Sequence, residues 1–525
     1  MLKERYTHVT DGRLGRLSLV AIALLLAAVA MAPAASAMVK VREPKVTRTV
    51  EPAPAAPGTP ATFTVPGINK AVDLNTVGII KVAPKHEAAP NVLVLEPGTS
   101  AAAAYFVPFA KSLIEAVPGW QVWAVERREN FLENQKMLNK YKLGKLVEKE
   151  NPLTGKMETP SEQFFNFYLG HLGGPPQKKI YESVENSSVE FAKNWGMNVA
   201  VEDLHVVIEE AKKLGGKVVL GGHSLGGSVV TAYATWDFGG EPGAQELAGL
   251  VFDDGGSSPL AVSKEEAEAE LTKLDEPKET PWLAFGGISA PDLGLFSATG
   301  SALTLVDPKG PSLLEHFKFL PPELKAPPQD SPATNEAGFG YSINVGTSPE
   351  SLAAAQIHGG AGIEETPEVD GLHGWNGTGA LTPVPRYAEM LAGAGLPNAS
   401  GSEWYFPARL TLDTGAVGNG LANPAQEVLD LHSTMGEDLP KSLHILAIDS
   451  ELDKLFGGEQ TTLTEAKLLA EQSGISTEEC GVQVTPGCLT LIEEKNSYAH
   501  NDPAGATPEI NEFFKHMVPF LKELG

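Results

Sequence analysis

The stretch Val218–Val230, VVLGGHSLGGSVV, decides how this chain is read. Lys217-Val218-Val219-Leu220 is a short apolar run of the kind found in strands buried on both faces. Gly221 begins a glycine-rich turn, and small residues from about Ser228 to Thr235 read as a helix. Inside the turn stands Gly222-His223-Ser224-Leu225-Gly226, a G-x-S-x-G pattern that acquires meaning from the strand before it and the helix after it. Such a turn strains the serine backbone and presents its hydroxyl, so its neighbours must be small; Gly222, Gly226 and Gly227 meet that need. The helix N-terminus behind Ser224 supplies partial positive charge and free N–H groups where an oxyanion would form. Gly340-Tyr341-Ser342 and Gly300-Ser301 lack both the second glycine and the preceding strand, so Ser224 alone qualifies as a nucleophile.

Outward from this turn, strands alternate with helices. Strands are expected at Val77–Val82, Asn91–Leu95, Trp120–Val125, Leu247–Phe252 and Leu443–Ile448. Helices are expected at Ala102–Ala116, Val201–Leu214 and Glu509–Leu521. The alternation predicts an α/β fold with a mostly parallel, doubly wound sheet. It lapses twice, over a polar stretch between Arg128 and Asn198 and over a long Pro- and Gly-rich stretch ending near Leu439. The organisation expected is therefore a signal peptide (1–37), a Pro-rich N-terminal extension with few core contacts (38–76), a first core segment (77–256), an insertion acting as lid or cap (257–440) before the penultimate strand, and a second core segment (441–525). A structureless excursion of that length in a compact domain is usually functional.

A serine hydroxyl needs a base, and the usual one is a histidine held by a carboxylate. Of the 12 histidines, His500 in Tyr498-Ala499-His500-Asn501-Asp502-Pro503 follows the last apolar run and precedes the terminal helix, which gives the chain order Ser, acid, His. His223 belongs to the turn itself and is expected to point away from the nucleophile. For the acid, Asp453 after the strand at Leu443–Ile448 is favoured and Asp254 after the strand at Leu247–Phe252 is the alternative. Asp253, Asp449 and Glu451 are weaker candidates, and any of these can be a mere turn former. The oxyanion donors expected are the backbone N–H groups of Leu225 and of Thr99, from the loop Glu96-Pro97-Gly98-Thr99-Ser100; Pro97 has no N–H to offer.

The segments VLVLEPGTSAAAAYFVPFAKSL, VWAVERREN, VVLGGHSLGGSVV, LVFDDGG and YAHNDP, in this order, resemble an α/β-hydrolase of the lipase and esterase type. The resemblance covers residues 77–256 and 440–525; the loop at Pro97 departs from the more usual His-Gly. It implies the α/β-hydrolase fold and acyl transfer to water, with Ser224 attacking an ester carbonyl, His500 relaying the proton and an acyl-enzyme then hydrolysed. No cofactor or metal is implied.

Forty Lys+Arg against 66 Asp+Glu leave a formal charge of −26, a field that repels nucleic acid and anionic lipid. Lys3, Arg5, Arg13 and Arg16, an apolar run from Leu17 to about Ala30 and Ala35-Ser36-Ala37 read as a signal peptide cleaved after Ala37, hence a secreted or extracytoplasmic protein without a stable membrane anchor after cleavage; an uncleaved anchor is the competing reading. In an oxidising compartment the two cysteines, Cys480 and Cys488, are expected to pair as a disulfide, with two unrelated thiols as the alternative. No metal-ligand spacing occurs. The substrate expected is a small-molecule or lipid ester. Trp282, Phe285, Phe296, Trp375, Trp404, Tyr405 and Phe406 offer apolar surface to it, or else build the insertion's own core. A peptidase or acyltransferase would use the same triad, and a non-catalytic binding protein on the same scaffold would be expected to have lost Ser or His.

Overall fold

The computed structural model describes residues 43–525 apart from 69, 152–153, 172–179, 258–260, 285–287, 314–331, 349–353, 356, 358–362, 451–460, 481–486 and 495–496. The expected signal peptide and Asp453 lie outside the described residues. Eight strands make one sheet: β1 (Pro44–Pro52), β2 (Thr76–Pro84), β3 (Asn91–Glu96), β4 (Trp120–Glu126), β5 (Val218–His223), β6 (Gly249–Asp253), β7 (His444–Asp449) and β8 (Leu489–Glu493). Their spatial order is β1-β2-β4-β3-β5-β6-β7-β8. β2 runs antiparallel to both β1 and β4, and every later junction is parallel.

Successive side chains of a strand point to opposite faces, and here both faces are covered. Val92 and Val94 of β3 join one core with the helices Met197–Lys212 and Leu225–Ala234. Leu93 and Leu95 join another with the helices Val107–Ala116 and Glu512–Leu524. Burial on both sides is why β3 and β5 to β7 are continuous apolar runs rather than alternating ones. This is the α/β-hydrolase fold, a mostly parallel doubly wound sheet. Its chain leaves β3 toward β4 on one side and returns to β5 on the other, which makes the carboxyl ends of β3 and β5 the topological switch point of the sheet.

Two expectations change. The N-terminal extension, expected to make few core contacts, adds an edge strand to the sheet, since Pro44–Pro52 pairs along its whole length with β2. Its burial alternates as an edge strand's does, and its two prolines sit at the strand ends, where a missing N–H is tolerated. The irregular stretches also share a core of their own: Tyr141, Phe164, Tyr168, Tyr181 and Trp195 pack with Trp282, Phe296, Trp404 and Tyr405. Those insertion aromatics are therefore interior residues, while Phe406 enters the main core. Trp375 is partly buried, and Phe285 lies outside the described residues. Cys480 and Cys488 form a disulfide. Among the described residues no helix is long and apolar enough to cross a membrane.

Candidate active site

Ser224 leaves β5 with φ 55° and ψ −127°, a left-handed-region conformation that a serine adopts only under constraint. The surroundings supply that constraint. Ser224 N–H donates to Asp253 O at 3.0 Å, which ties the turn to the end of β6. A Cβ at Gly222 would lie 2.2 Å from Gly226 O, and one at Gly226 would lie 2.2 Å from Glu96 O. Both glycines are thus required by close backbone approach. Leu225 is the first residue of the helix, so its N–H is one of the donors that a helix leaves without an internal acceptor.

The loop after β3 lies directly against the nucleophile. A Cβ built on Gly98 would be 2.7 Å from Ser224 Cβ, so only glycine lets Glu96–Ser100 approach this closely. Thr99 and Leu225 are both partly exposed at this rim, whereas Ser224 is 8% exposed.

His500, in the turn after β8, has its Nδ1 2.6 Å from Asp254 Oδ2. Asp254 is the first residue after β6 and has no exposed surface. It also accepts from Ser450 N–H at 2.6 Å and from Ser450 Oγ–H at 2.5 Å. Burial works to raise this carboxyl, but the hydrogen bonds and charge of His500, with those of Ser450, outweigh it and hold Asp254 below the ordinary aspartate value. Its neighbour Asp253 goes the other way, pushed well up by burial and then by the Asp254 charge. The two adjacent aspartates are therefore separated by environment, one a carboxylate and the other favouring the neutral acid.

The histidine loop is held from beneath. His223 Nε2 lies 3.0 Å from the His500 carbonyl oxygen, and its ring stacks on Tyr105. Burial and then the His500 charge push His223 down to about 3, so it stays neutral and donates that bond. Tyr105 O–H in turn donates to Asn501 Oδ1 at 3.0 Å. Residues between 257 and 440 reach the same loops: Asn501 Nδ2–H donates to Ala354 O, Ala102 N–H to Gly401 O and Glu403 N–H to Ser100 O.

The structure thus joins His500 to Asp254 and sets the Thr99 loop against Ser224, with His223, the residue before Ser224, linking the turn to the His500 loop. Sequence reasoning passed over Ser450, Tyr105, Asn501 and the part played by His223. The only sequence sign of Ser450 was its place at the end of an apolar strand run.

No protein-family profile and no curated protein matches this sequence. Among solved structures, the chain is similar to a provisionally assigned lipase from Sulfolobus solfataricus (13% identity over 91% of this chain and 94% of that one, TM-score 0.42). It is similar also to a soluble variant of monoglyceride lipase from Saccharomyces cerevisiae (11% identity, 90% and 97% covered, TM-score 0.32). A third is a thermostable carboxyl esterase from Bacillus coagulans (12% identity, 88% and 97% covered, TM-score 0.34).

Proposed function

We propose that this protein is an exported serine hydrolase of carboxylic esters, in which Ser224 is the nucleophile, His500 the general base and Asp254 the acid. The hydrogen bond between His500 and the buried, charged Asp254, beside a serine strained at the end of the central strand, carries this reading. A histidine that donates its Nδ1–H in a hydrogen bond to a carboxylate keeps a lone pair on Nε2, the atom that must take the hydroxyl proton. Ser224 Oγ then attacks the ester carbonyl, and the developing oxyanion is met by the N–H groups of Thr99 and Leu225. His500 returns the proton to the leaving alcohol, and water repeats the sequence on the acyl-enzyme. The hydrogen bond from His500 to buried Asp254 favours Asp254 for this role over Asp453, which lies outside the described residues. Residues 257–440 act as a cap, a reading supported by the contacts of Ala354, Gly401 and Glu403 with the loops that carry His500 and Thr99. The N-terminal basic, apolar and Ala-x-Ala pattern supports export.

The test is labelling by a fluorophosphonate together with turnover of short- and long-chain p-nitrophenyl esters. Wild type should do both and Ser224→Ala neither, while the variant remains folded. Labelling that persists in Ser224→Ala would overturn the nucleophile. Turnover of peptides or transfer to added alcohols, with no ester hydrolysis, would favour a peptidase or acyltransferase.

A further inference from the structure

We infer that Arg127 is a positioning residue that aims the oxyanion loop, and that the insertion completes its grip through Glu403; this rests on the reading of Thr99 as an oxyanion donor. Arg127 directly follows β4, the strand beside β3, so its side chain starts at the same end of the sheet as the loop Glu96–Ala101. It is 4% exposed, and its guanidinium is spent on that loop. Nη1 donates to Glu96 Oε1 at 2.9 Å and to Pro97 O at 2.8 Å. Nη2 donates to Gly98 O at 3.1 Å, Ala101 O at 3.0 Å and Glu403 Oε2 at 2.6 Å. Nε donates to Glu129 Oε1 at 3.1 Å, and the ring of Phe406 lies against the guanidinium, 5.3 Å from centroid to Cζ.

The carbonyls fix the donors. In a trans peptide the C=O of one residue and the N–H of the next point in opposite directions from one rigid plane. With Gly98 C=O held on Arg127, Thr99 N–H must face the opposite side of the loop. Gly98 also sits against Ser224 Cβ. Arg127 therefore sets the direction of the proposed oxyanion donor without touching substrate. Stability is a poor reason for this arrangement, because a buried ion cluster of this kind is often no more stable than an apolar replacement. Only a planar fork spans carbonyls from Pro97 to Ala101; a lysine, a single point donor, cannot. The insertion enters because Glu403, from its Gly401–Glu403 segment, binds the guanidinium with its side chain and Ser100 O with its own N–H.

The test compares Ser224→Ala, Arg127→Lys and Glu129→Gln for kcat, KM and affinity for a trifluoromethyl ketone, which adds to the serine as a tetrahedral oxyanion. Active sites are counted by fluorophosphonate labelling. Losing one oxyanion donor outright costs about 10²–10³ in kcat, so misaiming one in Arg127→Lys should lower kcat and ketone affinity together by at least about tenfold, with KM within about twofold. Glu129→Gln, which meets Nε and the Glu403 carboxyl but no loop carbonyl, should lower kcat and ketone affinity less than Arg127→Lys does. Arg127→Lys with normal kcat per labelled site and normal ketone affinity would overturn the inference, as would equal losses in kcat and KM with ketone affinity unchanged. If Arg127→Lys does not fold, Glu403→Gln decides: reduced kcat and ketone affinity at unchanged KM support the inference, and wild-type values overturn it. Turnover surviving in Ser224→Ala would instead sink the nucleophile reading.

Discussion

Replacing Asp254 by asparagine preserves the side-chain shape and removes one acceptor. One carboxylate oxygen now accepts from Ser450 N–H at 2.6 Å, while the other lies 2.6 Å from His500 Nδ1 and 2.5 Å from Ser450 Oγ. The amide has two settings. With its carbonyl toward Ser450 N–H, its NH₂ faces His500, which must turn Nδ1 into an acceptor and carry its proton on Nε2, where it cannot take one from Ser224. With its carbonyl toward His500, the NH₂ opposes Ser450 N–H and leaves a buried donor unpaired, at about 1–3 kcal/mol. The productive tautomer thus falls to between about one tenth and one hundredth of the population. The lost charge adds to this, since an imidazolium and a carboxylate with centres roughly 4 Å apart attract by about 4 kcal/mol at an effective dielectric near 20. Part of that is recovered by the amide dipole, leaving a combined drop of about 10³–10⁴ in kcat, the size met when the acid of the best-studied triad is amidated. The assay is kcat on a p-nitrophenyl ester for Asp254→Asn and Asp453→Asn side by side, with near-ultraviolet circular dichroism as the check on folding. An Asp254→Asn enzyme keeping more than about a tenth of wild-type kcat would refute the assignment. A collapse in Asp453→Asn instead would transfer the role to that residue.

Three further outcomes are expected. His223, at about 3 in the folded protein against 6.5 ordinarily, binds fewer protons folded than unfolded, so its contribution is complete above about pH 6.5 and is lost as pH falls toward 3, by up to about 5 kcal/mol; urea midpoints at pH 7 and pH 4 should show a smaller acid loss in His223→Gln, and an equal loss would refute this. Trp404, edge-on to Tyr168 at 5.5 Å and Tyr181 at 6.1 Å, should cost about 3–5 kcal/mol when replaced by alanine, as a core residue does; a variant of normal stability with altered preference for ester chain length would return it to the substrate surface. The disulfide closes a short loop, with a sequence separation of 8, so Cys480→Ser with Cys488→Ser should lose about 2–3 kcal/mol; an unchanged melting temperature would show the link to be energetically idle.

What the sequence displays depends on how far the determining contact reaches along the chain. The turn at Ser224 is set by neighbours within a few residues, by Gly222 meeting Gly226, and it could be read from the letters. The same holds for β3, β5 and β7, whose burial on both faces turns composition itself into a signal. β1 escaped because an edge strand with one wet face has no apolar run, only alternation, and its prolines disguise even that. The choice of acid stayed open between Asp453 and Asp254 for a different reason: His500 and Asp254 are 246 residues apart, and the apolar runs of β6 and β7 both lead into acidic residues. Local spacing ranks such candidates, but only the sheet order, which puts β6 directly beside β5, brings one of them under the histidine. The insertion aromatics were ambiguous on the same ground, since an apolar ring has the same letter in a core as in a pocket. Their partners, Tyr168 and Tyr181, come from the other irregular stretch. Two segments that each look structureless alone become ordered together, because neither buries its rings without the other. Excising 257–440 would therefore do more than remove the proposed cap. It would strip the cover from Tyr168 and Trp195 and remove Phe406, Leu410 and Val417 from the main core, so a linker in its place is expected to yield unfolded protein, visible as a lost cooperative melt. A shortened chain that still melts cooperatively would show the insertion to be an independent module after all.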